Sequence, residues 1–183
     1  MNKITTIDLG SNSFRVLIYD CLNHKILKEH NEVVGMADGL ERTNEISIEA
    51  VNRVIEAINR TSKEMNYKAI DAICVTTAAM RLANNSQKVL TILKEKTQAS
   101  FVIIDGVEEA RLTLLAVKYA LKREEINSSK FVLLDIGGGS TEIIVNTKNE
   151  YNSHSFNFGI VTLTQKDYSK NDLKAFLEEK KIE

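Results

Sequence analysis

The chain has 183 residues, 43% of them apolar, which is enough to bury a core in one domain or one and a half and excludes a disordered protein. Lys plus Arg (24) balance Asp plus Glu (25), so there is no general basic field of the kind that holds nucleic acid by counterion release. No run reaches the ~18 apolar residues of a membrane span, and the opening MNKITTIDLGS carries no long apolar leader, so the expectation is a cytoplasmic protein with neither a membrane nor a nucleic-acid partner.

Residues 4–8 and 14–20 read as two strands around a short polar turn, and 25–34 add a third, so a β-meander opens the fold. Ile48, Val51, Val54, Ile55 and Ile58 then recur at helical spacing behind Ser47, a good N-cap, with Glu49 in the first turn. A short apolar strand follows at 69–76, then a second helix around 89–93 that Ser86 is placed to cap. Residues 101–105 form another strand, broken by Gly106, and 107–123 read as a helix with Ala110, Leu114, Leu115, Val117 and Leu121 on its apolar side. INSSK at 126–130 is the one plausible linker. Beyond it come strands at 131–135, 142–146 and 151–158, and a last helix whose start, SKND at 169–172, has capping-box spacing. Strands alternating with helices predict an α/β fold with a largely parallel sheet. Cys21 and Cys74 lack CxxC spacing, and His24, His30 and His154 form no ligand pair, so neither disulfides nor structural zinc are expected. The absence of proline has no functional explanation.

LLDIGGGSTEIIV at 133–145 raises the functional question, because an apolar run breaks for three glycines and a Ser-Thr pair and then resumes as strand. It has a partner at the N-terminus. IDLGSNSFRVLI set beside LDIGGGSTEIIV puts Asp8 on Asp135, Gly10 on Gly137, Ser13 on Ser140, Arg15 on Glu142 and Ile18 on Val145, each pair 127 positions apart. In each copy a strand ends in an acid, a small polar turn follows, and a second strand returns. Glycine permits positive φ and close approach of backbone N–H groups to an oxyanion, so such turns can form anion nests. Two facing turns, Gly10, Ser11, Asn12 and Ser13 against Gly137, Gly138, Gly139, Ser140 and Thr141, would grip a phosphate chain. Asp8 and Asp135 would then stand where a hydrated Mg²⁺ bridging phosphate oxygens must be held. One copy alone reads as an ordinary hairpin turn; duplication with a retained acid favours the binding device. A dinucleotide fingerprint is set aside because the glycines open a β-branched strand rather than a helix, and a Walker loop because no Gly-Lys-Ser/Thr occurs.

The turns resemble the phosphate-binding hairpins of the actin-like, sugar-kinase and heat-shock-chaperone ATPase superfamily. The wording IDLGSNSFRVLIYD, MADGL, TTAAMRLANN, DGVEEARLT, LLDIGGGSTEIIV and FGIVTLT resembles the exopolyphosphatase/guanosine pentaphosphate phosphatase family, with the motifs in family order from Thr5 to about Thr164. The resemblance implies ribonuclease-H-like domains of the actin-like ATPase type: a complete first domain over 1–125, with a mixed sheet, an N-terminal β-meander and helices on both faces, and an incomplete second one over 126–183. It implies Mg²⁺-dependent release of terminal phosphate from polyphosphate or guanosine pentaphosphate. The family's catalytic glutamate falls on Glu109, beside Glu108, as general base; Arg81 matches a family arginine suited to phosphate; Asp135 and Glu142, with Asp8 as a third candidate, match acids used around Mg²⁺. Glu108 and Glu109 would otherwise merely fill the first turn of a helix, where acids are favoured, and Arg81 would be plain solvated charge.

Two departures stand out. Gly35 and Met36 occupy the place where the family often has an arginine, which removes one possible phosphate contact. The family's second domain also normally runs far beyond residue 183. The chain is therefore expected either to hydrolyse polyphosphate or guanosine penta/tetraphosphate, or to bind them as a non-catalytic module; an ATP-binding kinase relative is a third possibility with no adenosine-recognition segment in sight. An open sheet with Phe156, Phe158, Val161 and Leu163 as its apolar face would be covered by homodimerisation or by a downstream segment.

Overall fold

The computed structural model describes residues 2–126 and 129–165, together with positions 171, 174, 175 and 178. Its elements run β1 (Lys3–Leu9), β2 (Ser13–Asp20), β3 (Lys25–Val33), α1 (Leu40–Thr43), α2 (Ile48–Met65), β4 (Ile73–Thr76), α3 (Ala78–Leu82), α4 (Ser86–Thr97), β5 (Phe101–Ile103), α5 (Gly106–Arg123), β6 (Phe131–Ile136), β7 (Thr141–Asn146), β8 (Tyr151–Phe156) and α6 (Ile160–Gln165). Positions 169, 170 and 172 of the capping-box segment and the middle of the 126–130 linker lie outside the described residues.

A five-stranded mixed sheet has the order β3-β2-β1-β4-β5. The expected meander is present: β1, β2 and β3 pair antiparallel, then β4 joins β1 and β5 joins β4 in parallel. Period-two alternation sends Ile7, Leu9, Phe14, Val16 and Cys74 to one face, where α2 contributes Val51, Val54 and Ile58 and α4 contributes Val89 and Leu93. On the opposite side α5 reaches this sheet through a 3.2 Å hydrogen bond between the hydroxyls of Tyr119 and Tyr19. A second sheet, β6-β7-β8, is wholly antiparallel, and its inner face packs Ile144, Phe131 and Leu133 against Ala110 and Leu114 of α5. Helix α5, which the sequence groups with residues 1–125, thus contributes its most buried side chains to the second sheet.

Local chemistry accounts for most boundaries. The Ser47 hydroxyl accepts from the Ala50 N–H and caps α2, a contact worth about 1 kcal/mol. Helices α1, α2 and α4 end on left-handed Asn44, Asn66 and Gln98. Five expectations need correction. The sheets are not largely parallel: only β1–β4 and β4–β5 pair in parallel, because the meander and the second sheet are joined by hairpins. Leu115 is exposed rather than on the apolar side of α5, whose phase buries Ala110 and Leu114. Residues 69–71 form a 3₁₀ turn rather than strand, because parallel pairing with β1 starts only at Ile73 opposite Thr6. Ser86 is the first helical residue of α4; Asn85 occupies the cap, and its amide instead bonds both the N–H and the carbonyl of Ile46 at 2.9 Å. Finally, Phe156 is buried and Phe158, Val161 and Leu163 are half-buried; the apolar side chains facing water are Val132, Leu134, Ile136 and Val145 of the second sheet.

No helix among the described residues is long and apolar enough to cross a membrane. Cys74 lies under α2 and α4, 3% exposed, and burial pushes its thiol up to about 11, whereas Cys21 is partly accessible. Iodoacetamide at neutral pH should label Cys21 and leave Cys74 unmodified until denaturant is added; mass spectrometry of the labelled peptides checks this, and equal labelling of both in the native chain would contradict the packing.

Candidate functional site

The aligned turns are built alike. Gly10 N–H donates to Ser13 O at 2.9 Å, and Gly137 N–H donates to Ser140 O at 2.9 Å. They also meet. A Cβ on Gly138 would lie 3.1 Å from the Asn12 Cβ, and one on Gly139 would lie 3.1 Å from the Ala78 Cβ and collide with the Ser11 hydroxyl. Glycine is required here for close approach, not for φ: no turn glycine has a positive φ, and that conformation falls on Gly35 and Gly39. Among the described residues, the backbone N–H groups of Ser11, Asn12, Gly138 and Gly139 donate to no protein acceptor.

Each turn is buttressed from behind. Asn12 O accepts from the N–H groups of Val34 and Gly35, and Ser11 O from Ala37. Arg53 of α2, unremarked in the sequence, braces that segment through Val34 O, Gly35 O and the Asp38 carboxylate. Gly35 and Met36 offer no phosphate contact, since Met36 is fully buried. In the second copy Gly137 O accepts from Ile160 N–H, and Gly138 O from Val161 and Thr162, which caps α6. A side chain at Gly159 would run into Gly137 and Gly138. Two candidate hydroxyls are already engaged: Thr141 donates to Phe158 O at 2.8 Å, and Ser11 accepts from Ala79 N–H at 3.1 Å.

Side chains converge beside the turns. Asp105 caps α5 by accepting from Glu108 N–H at 2.8 Å, and the first turn separates the two glutamates. Glu108 points outward and pairs with Arg111, which holds its carboxyl below the usual range. Glu109 points inward, where its Oε2 accepts from Arg81 Nη1 at 2.8 Å. Arg81 is therefore no solvated charge: its side chain is 16% exposed, Nη1 also donates to Ile104 O, and Nη2 is buried without a partner. Asp135 and Glu142 are cross-strand partners on the inner face of the second sheet; Asp8 and Arg15 are cross-strand partners in the first, on the face away from α2 and α4. Glu142 is 1% exposed and accepts from Ser155 at 2.7 Å. Asp135 accepts from Thr113 at 3.0 Å. Ser155 and Thr113 went unnoticed in the sequence; only the spacing of Thr113, one helical turn after Glu109, hints at a shared face.

The acids pay for this arrangement. Burial raises Glu109, against the Arg81 hydrogen bond, with Glu142 and Asp135 adding repulsion. Burial raises Glu142, opposed by hydrogen bonds from Ser155 and Ser140 and reinforced by Asp135. Burial also raises Asp8, partly offset by Arg15, and Asp135 adds to it.

A family model, described as the Ppx/GppA phosphatase family, matches residues 17–182. The chain belongs to that family. An exopolyphosphatase from Cytophaga hutchinsonii is 29% identical with a TM-score of 0.80, over 90% of this chain and 53% of its own. A Ppx/GppA family member from Aquifex aeolicus is 24% identical with a TM-score of 0.70, over 96% and 59%. The ethanolamine utilization protein EutJ from Carboxydothermus hydrogenoformans, 14% identical with a TM-score of 0.51 over 89% and 54%, shares the fold alone. The fold is that of the actin-like ATPase superfamily, and the chain spans a little over half the length of these Ppx/GppA relatives.

Because the Glu142 carboxyl titrates above its ordinary value of 4.5, its protonated form stabilises the folded state. That contribution is complete below the unfolded value and is lost as pH rises through the folded one. Glu142→Gln should therefore melt at a higher temperature than the parent at neutral pH without metal, with the difference vanishing toward pH 4. Calorimetry across that range checks it; a lower melting temperature at neutral pH would show that the carboxylate is stabilised instead.

Proposed function

We propose that this chain serves a Mg²⁺-dependent phosphoanhydride hydrolase, acting in the cytoplasm, that releases terminal phosphate from inorganic polyphosphate or guanosine pentaphosphate. The observation that carries the reading is the half-buried Arg81–Glu109 pair beside the two facing turns. Phosphoryl transfer needs little covalent help from a protein; it needs positioning, charge neutralisation and an oriented water. In this reading the terminal phosphate lies against the N–H groups of Ser11, Asn12, Gly138 and Gly139. Arg81 turns its unpartnered Nη2 toward it, a charge-assisted contact suited to phosphate oxygens. Phosphate competing for Arg81 releases Glu109, whose carboxylate then orients the attacking water and takes its proton.

Asp8, Asp135 and Glu142 are hard oxygen donors of the kind Mg²⁺ takes. Among the described residues no three His, Cys, Asp or Glu side chains converge closely enough to hold a metal ion by themselves, so phosphate oxygens and waters would have to supply most of its shell. Asp8, Asp135 and Glu142 would hold it, and it would neutralise charge on the phosphate oxygens. The Arg81 hydrogen bond that already engages Glu109 favours a second reading, a non-catalytic polyphosphate- or alarmone-binding module.

Phosphate release from long-chain polyphosphate and from guanosine pentaphosphate, measured beside ligand binding, separates the two. Glu109→Gln should lower kcat by about 10²-fold with affinity nearly unchanged, and chelation should abolish turnover. Turnover indifferent to both would remove Glu109 and the metal from the mechanism, and tight binding by a parent chain with no turnover would select the module.

We also propose that self-association covers Val132, Leu134, Ile136 and Val145, the alternative cover being a downstream segment. Light scattering should give a mass above the monomer, with Leu134→Glu shifting it down; a parent chain that stays monomeric at high concentration would refute self-association.

A further inference from the structure

We propose that Thr113 is a positioning residue that aims the Asp135 carboxylate at the cation site, an inference that rests on the reading of Asp135 as a metal-holding acid. The hydroxyl departs from the habit of this chain. Thr61, Thr91, Thr97 and Thr164, all within helices, return their hydroxyl proton to the carbonyl four residues back: Ala57, Gln87, Leu93 and Ile160. The same bond from Thr113 would end on Glu109 O. Instead its Oγ1 donates to Asp135 Oδ2 at 3.0 Å, bridging α5 to β6.

The need for such a donor follows from the sheet register. Asp135 stands directly opposite Glu142, which puts two carboxylates on one face at cross-strand distance, where like charges repel. Glu142 is tied to Ser155. Asp135 has Thr113 as its only side-chain donor among the described residues. A single hydroxyl proton occupies one carboxylate oxygen and leaves the other for a cation. Removing it frees the carboxylate to rotate away from its neighbour. Because Thr113 lies one turn after Glu109, the same helix face carries the general base and the group that orients the metal-holding acid. Outer partners of this kind change metal affinity by about 10- to 100-fold when lost.

The test uses Mn²⁺ as probe, titrated into the full chain and followed by electron paramagnetic resonance and calorimetry. Thr113→Val, isosteric but without a donor, should bind Mn²⁺ at least about tenfold more weakly than the parent. Thr113→Ser should stay near the parent, Asp135→Asn should lose the site, and the melting temperature of the Val variant should change little. Val-variant binding equal to the parent, with Asp135→Asn inactive in binding, would overturn the proposal, as would a Ser variant as weak as the Val one. If the parent binds no Mn²⁺ through Asp135, the metal reading fails first and this inference with it, a pattern distinct from failure of Thr113 alone.

Discussion

Two turns from separate sheets touch, the glycine backbone of the second lying directly on Ser11, Asn12 and Ala78 of the first, and the placement of the candidate groups depends on that contact. Gly138 and Gly139 sit against Ser11, Asn12 and Ala78 so closely that a single methyl group would force them apart. Strand ends cannot move independently of their turns, so the contact brings Asp8 at the end of one sheet near Asp135 at the end of the other. The turns are in turn locked by the segments behind them. Residues 34–37 take the carbonyls of the first, and the start of α6 takes those of the second. Gln165 of α6 then donates to Ala37 O at 3.0 Å, joining the two buttresses.

The duplication repeats the closing hydrogen bond and the strand register of the turn and inverts the charge. The position opposite the strand-end acid is Arg15 in the first copy and Glu142 in the second. The first turn is thereby locally neutralised, while the second concentrates negative charge around Asp135. Burial raises Glu109, Glu142 and Asp8 together, with Arg81 the one arginine that bonds a site carboxylate among the described residues. Buried acids raised together in this way are a pattern typical of functional sites. Packing alone gives no reason to bury a glutamate to 1% exposure beside another acid.

Three-part support within α5 ties these features together. Asp105 caps the helix, Gly106 lets it approach Ser155 of β8, and Glu109 and Thr113 follow on the inward side. The same helix packs Ala110 and Leu114 on the second sheet while bonding Arg81 of the first unit through Glu109. Arg81 and Asp135 are thus both referred to one helix, through Glu109 and Thr113.

The sequence alone determined the elements whose signals are local. Alternation set the faces of β1 and β2, helical spacing behind Ser47 set α2, and the repeat at 127 positions paired the two turns with their acids. Family wording separated Glu109 and Arg81 from surface charge. Signals failed where long-range contact overrides local preference. Residues 69–71 left the strand because no neighbouring strand reaches them, and helix α6, which no local signal marked, starts where hairpin carbonyls accept its first N–H groups. Which of two adjacent glutamates turns inward was decided by helix phase against the second sheet. That Thr113 and Ser155 hold Asp135 and Glu142 was likewise decided only in three dimensions, because a hydroxyl's partner depends on which chain segment arrives beside it, and no spacing within the sequence encodes that arrival.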